Sequence, residues 1–246
     1  MICSNVDWMT WLIPATIEAG LKLKVIQPSS LKRVVVDTTV QEKNISFPTD
    51  SKLYNRMRRH LVDIAHRYSI TLRQTYAKAS RELLPQIGRD GHAKQYKRMR
   101  KAIKKIKGYL GRVLRDLRRQ IQARGIILNP KEQARLAQAI RLLGQTTKSK
   151  NKLYSLHEPD VDCISKGKAH KRYEFGVKAS VATTAKEAFI IGARSYPGNP
   201  YDGHTLGDQL QQVEVVTNQK PEVCYVDRGY KGSGVSSTRV VIAGQK

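Results

Sequence analysis

Cysteine is scarce: Cys3, Cys163 and Cys224 are all that a 246-residue chain contains. Three scattered thiols make no disulfide framework and point to a reducing compartment. Long apolar runs are missing as well. A bilayer span needs about 20 consecutive apolar residues; residues 8–13 are apolar but short, and no basic segment precedes them, so they form neither a span nor a signal peptide. A glycine-rich phosphate loop is lacking, because Gly232-Ser233-Gly234 has no accompanying Lys or helix. No nucleophile-elbow pattern supports a Ser–His–Asp triad. Acids are few: 20 Asp and Glu against 45 Lys and Arg, a net charge of +25 and a pI near 10.2. That imbalance implies a polyanionic partner, either nucleic acid or an acidic membrane face.

What is present is enough for a core, with 40% hydrophobic residues in one large domain or two small ones. No internal repeat is visible, and a soluble cytoplasmic or nucleoid-associated protein is expected. Val6, Met9, Leu12 and Ile13 recur at helical spacing, with Pro14 inside the pattern and Gly20 near its end. Pro28-Ser29-Ser30 reads as a turn. Arg33-Val34-Val35-Val36-Asp37-Thr38-Thr39-Val40 follows, a β-branched run that suits a buried strand. Asp37 inside it has two readings: a strand-end carboxylate capping the next turn, or a metal-binding carboxylate at the lip of a central strand.

A basic helical region follows, with Thr49 or Asp50 as its cap. Leu53, Met57, Leu61, Ile64 and Tyr68 make one apolar face. Ile103, Ile106, Leu110, Val113, Leu117 and Ile121 make another, at close to heptad spacing, as in antiparallel helices packed along a seam. Gly88 and Gly91 are expected to mark the bend between them. A further helix opens at Asn129-Pro130-Lys131-Glu132, a capping box with Pro at the first position, and ends at Gly144. Residues 52–124 hold 22 Lys and Arg against four acids. Like charges one turn apart repel, so a phosphate-facing surface is expected rather than a solvated face. Arg56, Arg58, Arg59, Lys97, Arg98, Lys101, Lys104 and Lys105 are the candidate contacts. The apolar stripe is needed for helix packing, which favours nucleic acid over membrane.

Beyond Tyr154 the pattern turns to strands. Tyr173, Phe175, Val177, Ala179 and Val181 alternate with Glu174, Gly176, Lys178 and Ser180, a period of two that implies one buried face. Residues 183–187 read as a hairpin turn before Ala188-Phe189-Ile190-Ile191. A helix beginning near Asp202 carries Leu206, Leu210 and Val213, and Asp202 is expected to be its N-cap. Val223-Cys224-Tyr225-Val226 is a strand ending at Asp227, and residues 238–243 form the last one. Asp37 and Asp227 thus share a context, each following a short apolar strand. If the strands are parallel neighbours, the two carboxylates meet at their carboxyl ends, where α/β sites collect. Two like charges that close need a cation, and Mg²⁺ takes one or two carboxylates while keeping waters and substrate phosphates.

Several blocks together resemble a known family. They are Arg33 to Lys43 in the order Arg33-Val34-Val35-Val36-Asp37-Thr38-Thr39-Val40-Gln41-Glu42-Lys43, then Phe47-Pro48-Thr49-Asp50-Ser51-Lys52-Leu53-Tyr54. Tyr154-Ser155-Leu156-His157-Glu158-Pro159, Lys166-Gly167-Lys168-Ala169-His170, Asn199-Pro200-Tyr201-Asp202-Gly203-His204-Thr205-Leu206 and Val226-Asp227-Arg228-Gly229-Tyr230 complete the set. They resemble the DDE transposases of the insertion-sequence-five group, from about Thr16 onward. The resemblance implies an α/β, RNase H-like mixed sheet whose first and fourth strands, carrying Asp37 and Asp227, lie side by side. It makes residues 1–30 the remnant of an N-terminal helical region. Residues 31–246 become an incomplete catalytic domain interrupted by a basic helical insertion at 49–150. The implied chemistry is Mg²⁺-dependent cleavage and strand transfer at insertion-element ends, with Mn²⁺ able to substitute. DNA is the implied partner, with a second copy or a full-length transposase beside it.

The family also carries a third acid, a Glu on a helix after the fifth strand, and no Asp or Glu follows Asp227 in this sequence. The expectation is a transposase truncated at both ends, its C-terminal helices incomplete, with little activity alone. The alternative is a non-catalytic DNA-binding remnant or regulator of a full-length transposase; a third class, RNA binding, is favoured by composition only. His157, Cys163, His170 and Cys224 match no zinc-ligand spacing. Glu158, Asp160 and Asp162 are expected to pair with Lys166, Lys168 or Lys171, and Glu42 to be solvated or ion-paired.

Overall fold

The computed structural model describes residues 7–150, 152–165 and 172–245, with side chains from residue 11 onward. Val6 and Lys166, Lys168, His170 and Lys171 therefore lie outside the described residues, as does the side chain of Met9. The chain divides into two compact units, Met1–Lys43 with Asp162–Lys246, and Asn44–Val161.

The first unit is built on a mixed sheet. Its strands are β1 (Arg33–Glu42), β2 (Asp162–Ser165), β3 (Tyr173–Thr184), β4 (Ile190–Tyr196), β5 (Val223–Val226) and β6 (Arg239–Ile242). The order is β2-β3-β1-β5-β6, with β4 also paired to β3. β3 is antiparallel to β1, β2 and β4, whereas β5 is parallel to both β1 and β6. Two helices belong to this unit, α1 (Asp7–Lys22) and the helix Asp202–Thr217. Ile13 and Ile17 from the first, and Leu206, Leu210 and Val213 from the second, form a core with Val34, Val36, Ala182, Ile191, Cys224 and Val226. At Gly192 a Cβ would come 2.6 Å from Gln209 and 3.1 Å from Val213, so the missing side chain is what lets the second helix lie against β4.

The period of two in β3 stands, but its buried set is the polar one. Glu174, Gly176, Lys178, Ser180, Ala182 and Thr184 face inward, while Phe175, Val177, Ala179 and Val181 are half-exposed. The reason is register. Val36 pairs with Ala182, and Thr38 with Ser180, so the even-numbered residues of β3 share the face of Val34, Val36 and the helix layer. Small side chains fit beneath that layer, and Lys178, a long charged chain among them, finds acceptors there. The hairpin turn comes slightly later than expected, with β4 opening at Ile190.

The second unit is helical. It comprises α2 (Asp50–Arg67), α3 (Ala77–His92), α4 (Tyr96–Ala123) and α5 (Pro130–Gly144), and we label the Asp202–Thr217 helix α6. α3 is an element that the sequence pattern did not disclose. Gly88 and Gly91 lie within its last turns, and the bend falls at residues 93–95, where Lys94 takes a left-handed φ of 57°. Met57, Leu61, Ile64, Ile106, Leu110, Val113 and Leu117 are fully buried along the seam. Each such side chain contributes roughly 1.5–3 kcal/mol, against about 0.2–0.5 kcal/mol per like-charge pair on the outer face. The seam therefore holds α4 together in spite of its charge.

The capping box of α5 is formed as expected. Asn129 Oδ1 accepts from Glu132 N at 2.9 Å, with Pro130 opening the helix. Glu132 is buried and accepts as well from Tyr68 Oη at 2.6 Å and Arg67 Nη1 at 2.9 Å. Thr49 is the N-cap residue of α2 by backbone conformation, without a side-chain cap bond. Among the described residues no helix is long and apolar enough to cross a membrane.

Candidate functional site

β1 and β5 run parallel with Arg33 opposite Val223, Val34 opposite Cys224 and Val35 opposite Tyr225. Continuing that register by two residues brings Asp37 level with Asp227. Both are exposed, next to the buried Val36 and Val226. The two candidate acids thus share one rim at the carboxyl end of a parallel pair. Asp227 also has the plainer capping role, since its Oδ1 accepts from Gly229 N at 2.9 Å and opens the turn Arg228–Tyr230.

A third carboxylate stands beside them. Asp202 is the first residue of α6, and the N-cap position falls on Tyr201. Its side chain does not cap the helix. Oδ1 accepts from Thr38 Oγ1 at 2.8 Å and from Lys178 Nζ at 2.7 Å, while Lys178 also donates to the Pro200 carbonyl at 2.6 Å. Helix-start chemistry supplied a reason to expect a cap. The competing partners lie far away in sequence, and a buried ammonium is a stronger donor than a backbone amide. A Cβ on Gly229 would sit 3.0 Å from Asp202 Oδ2 and 3.0 Å from Asp227 Oδ1. These two oxygens therefore lie within about 6 Å of each other, across a space that any side chain at 229 would fill.

Tyr230 reports the same crowding. Burial pushes its phenol well above the ordinary value, Asp202 and Asp37 push it further, the nearby Thr38 hydroxyl lowers it in part, and Asp227 raises it. Its hydroxyl is buried, with the Thr38 side chain beside it. All three acids act electrostatically on this one buried hydroxyl. Among the described residues, no group of three or more His, Cys, Asp and Glu side chains is placed to hold a metal ion together. Asp202 is engaged by Lys178 and Thr38 through Oδ1. Asp37 and Asp227 remain, a pair of the kind Mg²⁺ uses with water and phosphate oxygens. Cys163 is half-buried and Cys224 buried, and neither is placed in a metal cluster.

The basic candidates of the helical unit separate into two kinds. Arg56, Arg59, Lys97, Lys101, Lys104 and Lys105 are exposed. Lys97, Lys101, Lys104 and Lys105 stand at i, i+4, i+7 and i+8 on α4, one stripe opposite its buried seam. Arg98 is exposed but reaches toward Asp90, with Nε 3.8 Å from Oδ1. Arg58 is a correction to the expected surface. It is 5% exposed, donates to Asn55 Oδ1 and to the Thr75 carbonyl at 2.7 Å, and so holds the loop after α2 instead of facing solvent. Burial, then Arg59, lowers its pKa, with Asp63 opposing. Sequence pattern missed the roles of Lys178 and Thr38, which share the distant acceptor Asp202; Gly229 and Tyr230 stood in the quoted Asp227 block.

Comparison with known proteins agrees with the resemblance over part of the chain. Residues 147–236 match the family model described as a transposase DDE domain. That stretch includes Asp202, Asp227 and Tyr230, and begins well after Asp37. An uncharacterized protein, ORF8 in the nfe locus of Rhizobium meliloti, is 42% identical over 85 residues, which is 35% of this chain and 41% of that protein. The chain therefore spans about two-fifths of the curated relative it matches. No solved structure matches.

Proposed function

We propose, from the transposase DDE domain matched over residues 147–236, that this chain carries the metal-binding acids of a bacterial insertion-sequence transposase. The observation that carries the reading is the parallel β1–β5 register, which sets Asp37 and Asp227 level on one exposed rim. The strand order supports an RNase H-like sheet. Without the short β2, it reads β4-β3-β1-β5-β6, an antiparallel hairpin beside three parallel strands, with the acids at the ends of the neighbours β1 and β5. The helical unit, inserted after β1, supports a DNA partner through its one-sided charge. A DNA-handling protein of this kind works in the bacterial cytoplasm, at the nucleoid, with a second copy or a full-length transposase as a further partner.

Asp37 and Asp227 would hold a divalent cation, Mg²⁺ or Mn²⁺, and the space opposite Gly229 fits that role because no side chain fills it. When bound, such an ion activates an attacking oxygen and stabilises a leaving one in phosphoryl transfer. The chain's own residues do the positioning. Lys178 and Thr38 fix Asp202 behind the rim, and Asp202 with Asp227 brackets Gly229. The Gly229 amide orients the Asp227 carboxylate. Tyr230 closes the layer beneath and keeps water from the core side.

A second reading is favoured by one observation: Asp202, the third acid near the rim, is engaged by Lys178 and Thr38. With two acids left for a cation, the chain binds DNA and a metal ion while cutting slowly or not at all, as a regulator would. Supercoiled plasmid carrying an element end, incubated with the purified chain and Mg²⁺, separates the two. Nicking that disappears in D37N and D227N supports catalysis by the chain itself. Metal binding lost in those variants without nicking supports the regulatory reading. Metal binding indifferent to both variants overturns the assignment of the acids.

A further inference from the structure

The helical unit holds a second cationic feature, apart from the stripe on α4 described above. Arg73, Tyr76, Arg112, Arg115, Asp116 and Arg119 line a cleft of about 560 Å³. Arg112, Arg115 and Arg119 fall at i, i+3 and i+7 on α4, so the helix stacks three guanidinium groups on one side. A single carboxylate stands among four arginines, and it is already engaged. Asp116 accepts from the Arg73 amide at 2.8 Å, from Gln120, and from Arg119. Among the described residues, the side chains of Arg73, Arg112 and Arg115 have no hydrogen-bond or ion-pair partner. A solvated face does not explain such a group, since like charges at this spacing weaken the helix that carries them.

Tyr76 is built to hold Arg112. Its ring stacks on Tyr109, with centroids 4.5 Å apart and planes 8° from parallel, and the Arg112 guanidinium carbon lies 5.8 Å from the ring centre. Tyr76 adopts a left-handed backbone, φ 56°, just before α3. A bulky residue seldom takes that conformation, and strain of this kind gathers where a side chain must be aimed. Tyr109 stacks on the Tyr76 ring and the Arg112 guanidinium lies near it, so the ring positions a cation. Four guanidinium groups around one cleft suit phosphate.

We infer that this cleft grips the sugar–phosphate backbone of DNA, with Arg112 and Arg115 as phosphate contacts and Tyr76 as the positioning residue for Arg112. The inference rests on the DNA-handling function proposed above. Guanidinium groups match phosphate geometry through paired N–H donors, and four of them line one cleft.

The test uses the full 246-residue chain and a fluorescein-labelled DNA duplex, with binding followed by anisotropy from 50 to 200 mM salt. Each phosphate contact adds about 0.9 to the slope of log affinity against log salt. In R112A/R115A the affinity lost over that range should be about tenfold smaller than in the wild type, with the thermal melt unchanged. Tyr76→Ser should lower the slope by about 1, and adding R112A to it should change nothing more; Tyr76→Phe keeps the ring and should keep the wild-type slope. If the wild type binds DNA and R112A/R115A keeps its slope, the cleft is not a contact and the inference falls alone. If the wild type shows no salt-dependent DNA binding, the proposed function falls with it. Preference for an RNA hairpin over duplex at matched salt overturns DNA as the occupant.

Discussion

Gly229→Ala is the sharpest single perturbation of the acidic rim. The new methyl group would lie 3.0 Å from Asp202 Oδ2 and 3.0 Å from Asp227 Oδ1. Ordinary carbon–oxygen contact needs a few tenths of an ångström more, so one or both carboxylates must move. Gly229 is not among the glycines with left-handed backbone, so alanine fits its chain conformation. The adjustment occurs at an exposed turn, and it costs well under the roughly 1–3 kcal/mol of an overpacked core. The fold should survive while the geometry between the acids does not. Displacing groups that orient metal ligands weakens binding by about 10–100-fold, and Asp202 is held too firmly by Lys178 to yield first. We therefore expect Mn²⁺ affinity, read by electron paramagnetic resonance of free ion, to fall at least about tenfold, with the near-UV dichroism unchanged. A G229A chain that binds Mn²⁺ as tightly as the wild type would show that the space beside Gly229 is not where the cation sits.

Other parts of the structure make independent predictions. Asn129→Ala removes the cap of α5 and should destabilise the helical unit by about 1 kcal/mol, seen as a lower urea midpoint at unchanged slope; no shift would mean that the capping box carries no weight. Burial pushes the Cys224 thiol up to about 12, so at pH 8 almost none is thiolate. Iodoacetamide followed by peptide mapping should leave Cys224 unmodified until denaturant is added, and labelling in the folded chain would contradict its placement. Burial alone would raise the Asp116 carboxyl, but the Arg73 amide, Gln120 and Arg119 outweigh it and hold it below the ordinary range. A depressed folded value means stability present above the unfolded pKa and lost as pH falls through the folded one. Asp116→Asn should flatten the acid limb of the unfolding curve below the usual Asp range, and a curve with the same slope in both proteins would refute the assignment.

The parts of the fold legible in the sequence were those set by neighbours along the chain. The strands ending at Asp37 and Asp227 announced themselves by β-branched runs, and α5 by Asn129, Pro130 and Glu132 within four residues. Distant contacts decided what was misread. Lys178 looks like the outward-facing member of an alternating strand, yet its ammonium meets Pro200 and Asp202, more than 20 residues further on, and so faces inward. Asp202 looked like a helix cap for the same reason in reverse, because its partner Thr38 lies on another strand. Arg58 carries the same charge as Arg56 and Arg59, and only the carbonyl of Thr75 beneath it shows that it is a tether. α3 escaped notice because Gly88 and Gly91 read as a bend, whereas Ile87 and the nearby Leu83 and Leu84 pack into the helical core.

The account stands on one cation touching both Asp37 and Asp227. A double-mutant cycle in Mn²⁺ affinity tests this directly, with D37N, D227N and the double variant measured under one salt condition. A shared ion predicts strong coupling, each single change costing at least about tenfold and the second adding little to the first. Two penalties that simply multiply, or single changes that leave the affinity intact, would show that the two carboxylates do not act on the same ion.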